Sequence, residues 1–117
     1  MAYDEELADR VREIAYPGRT LTEQRMFGGL GFLTGGNMAV AVSGKGGLLV
    51  RVDPGEFESL QDGDAVAPMV MGGRVSRGWL RVTAATVADD AALREWVERG
   101  LDYAEKLPPK KKRSVSK

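Results

Sequence analysis

The stretch MFGGLGFLTGGNMAVAVSGKGG, Met26 to Gly47, carries eight glycines. Glycine at that density serves either a phosphate-binding loop or the turns of consecutive β-hairpins. A dinucleotide fingerprint needs G-x-G-x-x-G between a strand and a helix, so that the helix N-terminus meets the pyrophosphate. Gly29 and Gly31 supply the first two positions, but position 34 is Thr and a strand pattern follows. A Walker loop needs Gly-Lys-Ser/Thr opening a helix, whereas Gly44-Lys45 runs into Gly46 and another strand pattern. Both phosphate readings fail on residues and on context, which leaves hairpin chemistry. Within it, Gly28-Gly29 inside a strand reads as a β-bulge or a site of close backbone approach; one extra residue there would place Phe27, Leu30 and Phe32 on one face.

Outward from this stretch, period-two patterning continues. Met38, Val40 and Val42 alternate with Ala39 and Ala41; Leu48, Val50 and Val52 alternate with Leu49, Arg51 and Asp53. Such alternation means half-buried strands. Upstream, Leu7, Val11 and Ile14 recur at helical spacing between Asp4 and Tyr16, behind an acidic first turn, and Pro17-Gly18 ends the pattern. Downstream, Pro54 opens a short helix with Phe57 and Leu60 inward. Pro68 to Met71 and Val75 to Thr83 form a hairpin about Gly72-Gly73. A last helix, capped by Asp89 or Asp90, carries the stripe Leu93, Trp96, Val97, Leu101 and Ala104 and ends at Pro108-Pro109. The predicted fold is α+β: a two-layer α/β sandwich, an antiparallel five-stranded sheet with helices on one face, in the order α-β-β-β-α-β-β-α. It is expected to occupy residues 1–109 as one domain, with 110–117 a disordered basic tail lacking apolar content.

Composition excludes much chemistry. The 117 residues contain no cysteine and no histidine. Disulfides, soft metal sites and Ser-His or Cys-His nucleophile pairs are therefore excluded, and no cofactor is expected. The opening MAYDEELADR is acidic and has no hydrophobic signal core, and no apolar run reaches membrane-span length, so a cytoplasmic protein is expected. All 17 acidic residues precede Leu107, against 12 of the 17 basic ones, so the body carries −5 and the tail +5. An acidic body argues against nucleic acid as a partner. The tail's Lys110, Lys111, Lys112 and Arg113 are read as a solubilising end or a weak basic arm.

The segments RMFGGLGFLTGGNMAVAV, LLVRVD, PMVMGGR with RGWLRV, and LREWVERGLDYAEKLPPK resemble the N-terminal domain of TfoX/Sxy-type proteins. The resemblance runs from the first helix to about Pro109 and is most specific at Arg25 to Gly29 and the Gly-Asn-Met hairpin. It implies the same order of elements and transfers no catalytic residue. The family's eponymous members regulate natural competence, and many carry a second, C-terminal domain. The resemblance thus implies a non-enzymatic interaction module, an accessory in transcriptional regulation. The alternatives are a small-molecule binder or carboxylate-based enzyme, marked by a deep pocket lined by two or more acids, and a weak nucleic-acid binder, marked by a basic patch on the folded body.

Several features are candidates for function. Arg77, Trp79 and Arg81 stand at strand spacing and are expected on the open sheet face with Leu49 and Arg51. An aromatic among arginines there suits an unidentified protein partner, a homodimer centred on Trp79, a nucleic-acid stacking platform, or plain cation–π cover. Met26, Met38, Met69 and Met71 read as core filling, or as an adaptable surface. Arg25 and Arg74 flank glycine turns and read as solvated, or as holders of an anionic ligand. Asp53, Asp62 and Asp64 lack the EF-hand pattern and read as loop residues.

Overall fold

A computed structural model describes residues 3–26 and 28–108. The predicted basic tail and the facing of Phe27 lie outside the described residues. The chain runs α1 (Glu5–Ala15), β1 (Thr22–Met26), β2 (Gly29–Thr34), β3 (Asn37–Val42), β4 (Leu48–Arg51), a 3-10 turn (Pro54–Glu56), β5 (Val66–Met71), β6 (Arg74–Val82), α2 (Ala84–Val87) and α3 (Asp90–Lys106). The α+β class and antiparallel pairing are as expected, but the sheet has six strands, in the order β1-β2-β3-β4-β6-β5.

The additional strand is β1, TEQRM. It lacks apolar alternation because it is an edge strand held by polar groups. Glu23 accepts Arg12 Nε and Nη2 at 2.9 Å each and Tyr16 Oη at 2.7 Å, tying β1 to α1. The bidentate fork is the strong form of such a pair. The Arg12 hydrogen bond holds the Glu23 carboxyl below its usual range, against partial burial, while the bond to Glu23 raises the Tyr16 phenol.

Gly28-Gly29 is accordingly not a bulge, but the close backbone approach holds at Gly29, where a Cβ would run into the Val42 carbonyl oxygen. β1 and β2 pair through to Met26↔Gly29, so the chain reverses at Gly28, whose φ of 77° only glycine adopts readily. The bulge lies further on: Phe32 pairs with Val40 and Leu33 with Met38, leaving Ala39 without a partner in β2. The predicted helix after Pro54 is shorter, a 3-10 turn capped by Asp53. A further short helix, α2, follows Thr83, whose hydroxyl caps it.

α1 and α3 pack on one sheet face. The core joins Leu7 and Val11 of α1 and Leu93, Val97 and Leu101 of α3 to Phe32, Val40, Val42, Leu48, Val50 and Leu80 of the sheet. Asp4 caps α1, and Asp89 rather than Asp90 caps α3, its Oδ2 accepting the Ala92 N–H at 2.9 Å. The helix and sheet approach closely at Gly100, where a Cβ would lie 2.7 Å from both the Ala39 carbonyl oxygen and Val40 Cγ1. Asn37, buried among apolar residues, donates to the Pro108 carbonyl at 3.0 Å and anchors the chain beyond α3.

Candidate partner-binding face

Among the described residues, no helix covers the opposite sheet face. Strand register places Gly31, Ala41, Leu49, Arg81 and Ala67 side by side in one row across it, with Arg51 opposite Trp79 in the next. Leu49 and Trp79 are half-buried and Arg81 is exposed. The row is shallow because three of its five residues are glycine or alanine. Met38 bends over Gly31: a Cβ at Gly31 would meet Met38 Cε at 2.7 Å.

One border of this face is a bent hairpin. β5 pairs Pro68 with Leu80 and then Met69 with Ser76, so residues 77–79 of β6 have no β5 partner. Trp79 pairs instead with Arg51 of β4, and the Gly78 carbonyl accepts the Val52 N–H at 2.8 Å. Gly78, with φ of 96°, allows the break. The bend carries the hairpin tip past the end of β4. At that tip the paired Val70 and Val75 are 58% and 54% exposed, the large apolar side chains with least cover among the described residues.

The bend overturns one sequence expectation. Arg77 does not share the open face with Trp79 and Arg81. Its guanidinium lies 5.7 Å from the ring centre of Phe57, a core residue beside the 3-10 turn. Alternation predicts a shared face only in a continuous strand, and the positive φ at Gly78 interrupts it. Leu49, Arg51, Trp79 and Arg81 do come together. Arg51 is held on both sides: its Nη1 donates to the Met38 carbonyl at 3.3 Å, and its guanidinium stands 5.7 Å from the Trp79 ring centre.

Between the hairpin tip and the row of small residues is a half-open cavity of about 490 Å³. Met38, Ala41 and Leu49 line it from the sheet, Met69 and Val70 from the tip, and Trp79 from the bend. Met38 and Met69 are therefore half-buried wall residues, not core filling. Among the described residues its ionisable lining is Lys45 and Arg81, with no carboxylate. No local pattern marks this cavity in the sequence, since it depends on the bend at Gly78.

The acids lie elsewhere. Asp9 and Glu23 pair with Arg12, Asp90 with Arg10, and Asp102 and Glu105 with Arg19, all on the helical side. Asp53 is occupied as a cap, accepting the Gly55 N–H at 2.8 Å. Among the described residues, no three carboxylates are grouped so as to hold a metal ion. Among the same residues, no helix is long and apolar enough to cross a membrane.

These features define a two-layer α+β domain with one sheet face packed by helices and the other, among the described residues, without helical cover, cationic and partly apolar. The chain belongs to the TfoX N-terminal domain family, whose model matches residues 13–104. Comparison with curated proteins and with solved structures found no match.

Proposed function

We propose that this chain is a non-enzymatic, cytoplasmic interaction module, an accessory in transcriptional regulation, that binds a protein partner through Leu49, Arg51, Trp79 and Arg81. The observation that carries the reading is Trp79, half-buried on a sheet face without helical cover, with Arg51 held over its ring. Tryptophan and arginine dominate the energetic centres of protein interfaces. An arginine already fixed by the Met38 carbonyl loses little conformational freedom on binding. The cations of this face favour an acidic partner surface over a second copy, whose Arg51 and Arg81 would face their own symmetry mates. Among the described residues the cavity lining carries no carboxylate, which counts against a carboxylate-based enzyme.

A weak single-stranded nucleic-acid binder is the second reading, because Lys45, Arg51 and Arg81 form a basic patch around an aromatic ring. Arg51 already covers the Trp79 ring, which disfavours base stacking there.

The test is affinity capture from native extract with the wild-type chain and a Trp79→Ala/Arg81→Glu variant. A protein retained by the wild type and lost from the variant is expected. A partner set unaffected by the substitutions refutes the surface. Binding of single-stranded oligonucleotides at physiological salt, lost in the same variant, would establish the second reading instead.

A further inference from the structure

Beyond a protein partner, the cavity itself has the character of a ligand site. We propose that it binds a small amphipathic monocarboxylate, with the apolar body over Ala41 and Leu49 between Met69 and Trp79, and the carboxylate at Arg81.

Three observations lead to this chemistry. The first is size and lining: about 490 Å³ with an apolar floor and walls falls in the range of small-molecule sites, commonly about 300–1,000 Å³ with few polar groups. The second is charge: among the described residues Lys45 and Arg81 are the ionisable groups of the lining, so an anion there gains attraction. Arg51, the other cation of the face, is engaged by the Met38 carbonyl and Trp79, which leaves Arg81 as the available planar fork. A guanidinium fork matches a carboxylate in two parallel hydrogen bonds. A single negative charge costs less to desolvate against these apolar walls than the double charge of a phosphate monoester, which favours the carboxylate.

The third observation is how the cavity is built. Ala41 forms the low floor beside Leu49, and a larger side chain at that register position would fill it. Methionine walls at 38 and 69 are unbranched and polarizable, so they adapt to apolar bodies of different shape. The bend at Gly78 brings the second wall, the hairpin tip, within reach of the first.

The experiment is titration calorimetry of the full chain with 4-phenylbutyrate, 4-phenylbutanol and 4-phenylbutylamine, which share one apolar body and differ in charge. Binding of the butyrate is expected, weakened about tenfold or more in the alcohol and absent in the amine. Arg81→Gln should weaken butyrate at least about tenfold while leaving the alcohol unchanged. Ala41→Leu should reduce both by filling the floor, with far-ultraviolet circular dichroism confirming that each variant is folded. Equal binding of butyrate and alcohol, indifference to Arg81→Gln, or no butyrate binding at millimolar concentration overturns the proposal. So does a wild type that sediments as a dimer and takes no butyrate, because a second copy would then occupy the face. Partner capture is read separately, so failure here leaves the protein-partner reading standing, and failure of capture leaves this one standing.

Discussion

Gly100→Ala tests the spacing between helix and sheet, because two effects of opposite sign meet at one residue. Glycine in a helix interior costs about 0.8–1 kcal/mol relative to alanine, so propensity alone predicts that the substitution stabilises. Packing predicts the reverse. The new Cβ would lie 2.7 Å from the Ala39 carbonyl oxygen, 2.7 Å from Val40 Cγ1 and 3.3 Å from Val50 Cγ1. A side-chain methyl end can rotate away, but the Ala39 oxygen belongs to the bulged backbone of a central strand and moves only if α3 lifts or β3 shifts. Overpacking of this kind costs about 1–3 kcal/mol, and a backbone clash belongs in the upper half of that range. Set against the gain in helix propensity, the net loss is about 1–2 kcal/mol. For a chain of this length that lowers Tm by about 4–8 °C. Urea unfolding monitored by circular dichroism, with thermal melts alongside, measures it. Gly100→Val should lose more, since it adds both bulk and a branched Cβ. A Gly100→Ala variant that melts higher than the wild type, as an exposed helix site would, refutes the close crossing of α3 over Ala39.

The remaining predictions concern the edge strand. Gly28→Ala should cost about 1 kcal/mol, from positive φ alone, because a Cβ there meets nothing within 4 Å; Gly28→Asn should cost less, and equal stability of all three in urea would contradict the turn. The Arg12 hydrogen bond lowers the Glu23 carboxyl, so this stabilisation is complete above the ordinary glutamate pKa of 4.5 and lost as pH falls through the lower folded value. The Tm difference between wild type and Glu23→Gln should therefore be largest near neutral pH and shrink on acidification towards pH ~3. A difference independent of pH would show that Glu23 acts without its charge.

The elements legible in the sequence were those whose signal is local. Leu7 with Val11, and Leu93 with Val97, Leu101 and Ala104, lie on one helix stripe wherever the helix docks, and they are buried. Val40 with Val42, and Leu48 with Val50, alternate in the same way, and the glycines between them reverse the chain. Trp79 and Arg81 beside Leu49 and Arg51 follow from strand phase within the unbroken second half of β6. What required tertiary structure was non-local. β1 is a strand because β2 offers a free edge and Arg12 reaches Glu23, neither visible in TEQRM. The bulge at Ala39 and the bend at Gly78 depend on which strand each residue meets, and the bend decides that Arg77 leaves the Trp79 face. The cavity follows from the same bend. Its walls come from residues 38 and 69, whose positions in the chain say nothing of their meeting until β6 divides its pairing between β4 and β5. Periodicity records the direction of a side chain relative to its neighbours in sequence, and it loses that direction wherever one residue adopts a φ outside the strand region.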